Sequence, residues 1–314
     1  MTSKEVGIQE EENSAEFTHR EVGGVREILS FPKGLRANEV EYQLYPFDYL
    51  TGDPSVNHRT PDAMTMDLTR AWQRTQEARE PFGDTNGLKV SVKGLGFSPV
   101  GRTGLIVVGG LTDYFTLWGL PQVAPLLQER FLNEMARFQG TKVPNGLSAH
   151  TIILTSDNRV VMMVRSQSQG FHTGRVSLSI EEQTDPDKDA TPFNTPYRGI
   201  WEELGIISSP QDLRLLGVGA ERALAYTCFC FVSHVDADEE TLRQAWKGAQ
   251  DHNEASALFL VPLEELDRWT GTEISPEVWL PYSKDSAIAS DAILQPHPTV
   301  LWRADLLKKH LAAR

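Results

Sequence analysis

The alternation of apolar and polar positions divides the chain into many short strands and a few amphipathic helices. Val40, Tyr42 and Leu44 alternate, which predicts a strand over Val40–Leu44. Further strands are expected at Leu88–Val92, Leu105–Val108, Ala149–Leu154, Val160–Val164, Val176–Ile180, Leu213–Val218, Tyr226–Val232 and Ala257–Val261. Helical spacing places Met64, Leu68, Ala71 and Trp72 on one stripe after Thr60-Pro61, and Leu127, Phe131, Met135 and Phe138 on another after Pro125. Asp236-x-x-Glu239 reads as a capping box before a helix carrying Leu242, Ala245 and Trp246. A last helix is expected after Pro298, docked by Leu306 and Leu307. His297, between two prolines, is expected at the surface.

Thr195 to Ile206 is the most sharply marked element. Thr195 can cap a helix, Pro196 suits its first position, and Gly205 can end it in a left-handed turn. Ile200 and Leu204 share one face, while Arg198 and Glu202 are placed to pair. Glu202 and Glu203 then present adjacent carboxylates able to hold a hard cation such as Mg²⁺.

The run Arg198-x-Ile200-x-Glu202-Glu203-x-Gly205-Ile206 resembles the second half of the Nudix box, Arg-Glu-Ile/Leu-x-Glu-Glu-x-Gly-Ile/Leu. Six specified positions match, and Gly199 stands where the family has a glutamate. A plain capped helix with exposed acids would account for the ends of the element but not for the order of all six. The first half, Gly-x5-Glu, is out of register: Thr184 and Ala190 occupy its positions. Gly174 and Glu181-Glu182 lie upstream as displaced counterparts. Leu111-Thr112-Asp113-Tyr114 is similar, more loosely, to the UDP-sugar-hydrolysing branch with its N-terminal domain; a capped loop accounts for those residues more simply. The resemblance implies an α+β fold, a Nudix-type mixed β-sheet between helices, with a smaller α+β N-terminal domain. The expected divisions are a disordered tail over 1–25, the N-terminal domain over 26–142 and a Nudix-like domain over 143–314.

Composition narrows the partners. The 314 residues carry a formal charge of −13, which argues against nucleic-acid binding through a general basic surface. An acidic site can still hold a polyphosphate when metal ions lie between them. No apolar run is long enough to span a membrane, and a cytoplasmic protein is expected. Cys228 and Cys230 lie two apart on a strand, side by side on one face, and are expected to be buried and unbridged. The acids of Glu181–Asn194, including Asp185, Asp187 and Asp189, read as a solvated loop from which one or two members face a metal.

The resemblance implies a hydrolase that cleaves a diphosphate linkage in a nucleoside diphosphate derivative, a nucleotide sugar among the candidates, with Mg²⁺ or Mn²⁺. Glu203, Glu202 and Arg198 are the expected catalytic residues. Glu202, Glu203, Glu181 and Glu182 are the expected metal ligands, the last two as replacements for the carboxylate missing at 199. Gly199 is the feature that favours the alternative, a catalytically degenerate Nudix-fold protein that binds a nucleotide or regulates. The small-molecule partner is a nucleotide derivative in either reading; the pattern does not set the oligomeric state.

Overall fold

The computed structural model describes residues 16–48, 70, 87–97, 104–123, 125–137, 140–141, 143–167, 172–209, 211–284 and 288–314. The strands are β1 (Glu16–Phe17), β2 (Glu21–Val22), β3 (Val25–Leu35), β4 (Val40–Asp48), β5 (Leu88–Phe97), β6 (Leu105–Asp113), β7 (Gly146–Leu154), β8 (Arg159–Arg165), β9 (Arg175–Leu178), β10 (Ile180–Gln183), β11 (Leu213–Glu221), β12 (Tyr226–His234), β13 (Ala255–Pro262) and β14 (Gln295–Pro296). The helices are α1 (Tyr114–Val123), α2 (Pro125–Ala136), α3 (Asn194–Leu204), α4 (Glu239–Lys247), α5 (Pro276–Trp279) and α6 (Val300–Ala312).

Eleven strands form one mixed sheet with the path β1-β3-β11-β12-β7-β8-β9-β14, while β10 joins β7, β13 joins β8 and β2 joins β3. β7 is buried along its whole length and pairs in parallel with β12. Such a strand needs apolar or satisfied side chains on both faces. On one face, Ala149, Ile153, Phe229 and Phe231 pack with Ile200 and Leu204 of α3. On the other, Ile152, Cys228 and Cys230 pack with Trp302, Leu306 and Leu307 of α6. The sheet therefore lies between helices, and the expected α+β class holds. Cys228 and Cys230 are buried and unbridged, as their spacing predicts.

A second, three-stranded sheet runs β4-β6-β5. Its Val90, Val92, Leu105 and Val107 join the core on the α3 side. β3, from the N-terminal part, belongs instead to the large sheet through its pairing with β11. β1 and β2 also pair with β3, so residues 16–22 are ordered where a tail was expected.

Other differences are local. The stretch after Asp113 is a helix, not a loop: Asp113 accepts the Thr116 N–H at 2.9 Å and its hydroxyl at 2.8 Å, which starts α1. The α4 cap is Asp238, which accepts the Thr241 N–H, and not Asp236. The expected strand Val176–Ile180 breaks at Ser179, whose φ of 63° turns the chain from β9 into β10. Met64, Leu68, Ala71 and Trp72 lie outside the described residues, although Arg70 is helical.

Candidate active site

α3 ends as its sequence predicts. Gly205 has φ 68° and donates its N–H to the Trp201 carbonyl. Its start differs. The N-cap position is Phe193, without a side-chain cap, and Thr195 is buried instead. The Thr195 hydroxyl donates to Asp189 at 3.1 Å and lies 3.0 Å from the Thr184 hydroxyl, so it anchors the preceding loop.

Arg198 organises the acids around the helix. Its Nη1 donates to Glu202 at 2.8 Å and lies 3.4 Å from Glu182. Its Nη2 donates to Asp189 at 2.9 Å and to the Gln183 carbonyl at 3.0 Å. Asp189 is buried, so one member of the acidic loop faces inward to hold this arginine. Such charge-assisted bonds fix the guanidinium plane and, through it, two carboxylates.

Gly199 lies where α3 crosses β10. A Cβ built there would sit 3.1 Å from Ile180 Cδ1 and 3.3 Å from Glu182 Cβ. The Glu182 side chain thus fills the space over the glycine. A carboxylate from β10 stands beside the helix position at which the motif carries its own.

Glu203 is 6% exposed, and its Oε1 has no hydrogen-bond partner among the described residues. Burial, then repulsion from Glu182 and Glu254, pushes its carboxyl well above the usual range. Burial likewise pushes Glu182 up to about 7; Arg198 opposes this, while Glu254 and Glu202 add to it. Glu254, just before β13, is exposed and was missed by sequence reasoning. Nothing local marks it. The backbone bond from Asp251 N–H to the Glu202 carbonyl brings its segment to α3. Neighbouring carboxylates with an orphaned buried oxygen suit a divalent cation, and an all-oxygen donor set suits Mg²⁺ or Mn²⁺.

Glu181 is placed elsewhere. Adjacent strand residues point to opposite faces, so Glu181 turns away from Glu182. It accepts from Ser177 at 2.7 Å, Arg165 at 3.3 Å and Arg303, and lies 3.2 Å from His297. Burial pushes its carboxyl up, but His297, Arg303 and Arg165 outweigh this and hold it well below its ordinary value. His297 is therefore not a surface residue; it is 3% exposed.

A solvent-open cleft lies beside these residues. Arg165, Glu182, Gln183, Glu221, Tyr226 and His297 are among its walls. Arg165 is the last residue of β8. Among the described residues, two trios on the cleft side each have their three ligand atoms within 4.8 Å of one another: His150–Glu221–Cys228 and His172–Glu221–His297. The carboxylates beside α3 are spaced more widely.

No protein-family model and no curated protein matches the chain. Similar solved structures include a MutT protein from Methanosarcina mazei, 15% identical, covering 55% of this chain and 96% of that one, with a TM-score of 0.34. The Nudix domain of Shewanella oneidensis NrtR, crystallised with ADP ribose, is 12% identical over 53% of this chain and 88% of that one, at 0.36. A MutT/Nudix family protein from Listeria innocua is 16% identical over 54% and 94%, at 0.32. The mixed sheet between α3 and α6 is consistent with the Nudix-type fold that the α3 motif implies. No helix among the described residues is long and apolar enough to cross a membrane.

Proposed function

We propose that this protein is a Nudix-type hydrolase that cleaves a diphosphate linkage in a nucleoside diphosphate derivative. The observation that carries the reading is Glu182 standing over Gly199: β10 supplies the carboxylate that the helix lacks. Glu182 and Glu203 would hold Mg²⁺ or Mn²⁺, with Glu202 fixed beside them by Arg198. The cation, when bound, supplies Lewis-acid stabilisation of the phosphate oxygens. Glu254, exposed and close enough to act electrostatically on both acids, would take a proton from the attacking water. The cleft beside Arg165 and Tyr226 receives the nucleotide. Glu181, bound to two arginines, positions the wall of that cleft and leaves the metal to Glu182.

Exchange of the carboxylate between the two elements tests this. Gly199→Glu should not tighten metal binding by itself, because the new side chain meets Glu182 and Ile180; a lower melting temperature is expected. Gly199→Glu combined with Glu182→Ala removes the collision and restores a carboxylate from the helix. Calorimetric titration with Mn²⁺ should show weak binding for Glu182→Ala and recovery in the double variant. Recovery absent, with the fold intact, would count against Glu182 as the replacement ligand.

The same acids make the metal-free protein sensitive to pH. Below about pH 4.5 Glu182 is protonated in both folded and unfolded chains, so it costs nothing. As pH rises, the unfolded chain releases the proton first, and the folded state loses stability until about pH 7, where folded Glu182 also ionises. The loss is on the order of 1–2 kcal/mol, below the full allowance of the shift because 24% of the side chain remains accessible. Denaturant midpoints measured in EDTA from pH 4.5 to 7.5 should fall more steeply for the native chain than for Glu182→Gln, and Mg²⁺ should narrow the gap. Identical slopes would remove Glu182 from the buried cluster.

A further inference from the structure

The cleft side of the sheet carries a group of donors that the proposed hydrolysis does not use. His172, Glu221 and His297 come from three distant segments: the turn before β9, the last residue of β11 and the residue after β14. One ligand atom from each lies within 4.8 Å of the other two. His172 Nε2 is 3.0 Å from Glu221 Oε1, and the His172 and His297 rings are 4.3 Å apart, edge to face.

Each member is held in place. His297 donates its backbone N–H to the Val176 carbonyl at 2.7 Å and accepts the Val300 N–H at 3.0 Å. Its Nδ1 lies 2.9 Å from the Thr299 hydroxyl. Nδ1 also accepts the Thr299 N–H at 3.2 Å, which leaves the ring proton on Nε2, 3.2 Å from Glu181, where an ion would take its place. Glu221 is anchored by strand pairing on both sides, to Tyr226 and to Val25. It is 3% exposed, and its one side-chain partner among the described residues is His172. A nearly buried carboxylate with a single partner has acceptor capacity to spare. His172 has φ 53°, a left-handed conformation uncommon outside glycine and asparagine. Its ring lines the cleft.

We propose that His172, Glu221 and His297 form a second metal site, distinct from the carboxylates beside α3, that takes a borderline-soft divalent ion of the Zn²⁺ class. Two imidazoles and one carboxylate suit such an ion rather than Mg²⁺, which prefers oxygen throughout. Three protein ligands leave a fourth position facing the cleft. The ion would take the place of the proton now shared by His172 and Glu221, and that of the His297–Glu181 contact, releasing protons on binding. The neighbouring trio of His150, Glu221 and Cys228 is the poorer host. All three of its members are buried, whereas His172 of the other trio is partly exposed and open to an incoming ion.

The test is titration of EDTA-stripped, dialysed full chain with Zn²⁺ and Co²⁺, in millimolar Mg²⁺ to occupy the carboxylates beside α3. One equivalent should bind, raise the melting temperature, and with Co²⁺ give an intense visible spectrum of low coordination number. His172→Asn keeps a residue that tolerates positive φ, and Glu221→Gln keeps the shape of the carboxylate. Each should weaken binding by about tenfold or more, while Cys228→Ser should leave it unchanged. No binding above that of Mg²⁺ would overturn the site. So would Zn²⁺ binding that survives both His172→Asn and Glu221→Gln, or that is lost only in Cys228→Ser. The hydrolase reading stands apart from this result: Mg²⁺-dependent turnover is measured on the stripped protein without Zn²⁺, and its absence there would count against hydrolysis alone.

Discussion

Glu203→Gln is expected to lower Mg²⁺-dependent turnover of the best nucleoside diphosphate derivative by about 10²–10⁴-fold, the largest loss of any single site residue. The range follows from removing one member of a set that must hold both a cation and a developing charge, for which each tenfold step is about 1.4 kcal/mol of barrier. Glutamine keeps the size of the buried side chain, and burial already holds the metal-free Glu203 carboxyl well above its usual range. Folding should therefore be unharmed, and the metal-free melting temperature should match or exceed that of the native chain. Glu202→Gln should cost less, since Glu202 already spends one oxygen on Arg198. Arg198→Ala should cost less than either glutamate, because it acts by positioning. Steady-state kinetics on a panel of nucleoside diphosphate derivatives, with Mg²⁺ and with Mn²⁺, reads all three. Full metal-dependent activity in Glu203→Gln would sink the assignment. An absence of turnover by the native chain, with a nucleotide still bound, would favour the alternative binding-protein reading.

Ile200→Asp is expected to unfold the large-sheet core at neutral pH. Ile200 is fully buried against the β7 and β10 side of the sheet, in the cluster that holds Ala149, Ile153, Phe229 and Phe231. Arg198, on the polar edge of α3, is already committed to Asp189, Glu182 and Glu202. An unpaired carboxylate in such a place costs several kcal/mol, comparable with the whole stability of a domain. Ile200→Val removes one methylene and should cost only about 0.5–1.5 kcal/mol. Circular dichroism melts of both variants make the comparison. A native-like melt for Ile200→Asp would mean that α3 does not pack through this residue.

The legible parts of the chain are those set by local rules. The α3 helix, its apolar pair Ile200 and Leu204, its glycine stop and the Arg198–Glu202 pair all follow from spacing along one helix. The alternating runs located most strands, although they came out short. β6 continues through Gly109-Gly110 to Asp113 because pairing with β4 and β5 supplies the order that those residues lack on their own. The role of Thr195 was misread for a related reason: a hydroxyl can cap a helix or bond to a loop, and the position of Asp189 decides which.

The site divides in the same way. The Arg198-to-Ile206 pattern was enough to point to acids on a helix and to a hard cation. That Glu181 and Glu182 part company required knowing that β10 pairs with β7, since only a strand sends neighbours to opposite faces. Glu254 and the His172–Glu221–His297 group come together from segments far apart in the chain. No periodicity encodes such a meeting. By itself the sequence determined the local elements, the apolar faces and the acidic helix edge, because those depend on residues within one or two turns. The tertiary structure alone decided which distant carboxylate stands over Gly199 and which histidines face the cleft, because those contacts are set by sheet order and by the docking of α3 and α6 on opposite faces.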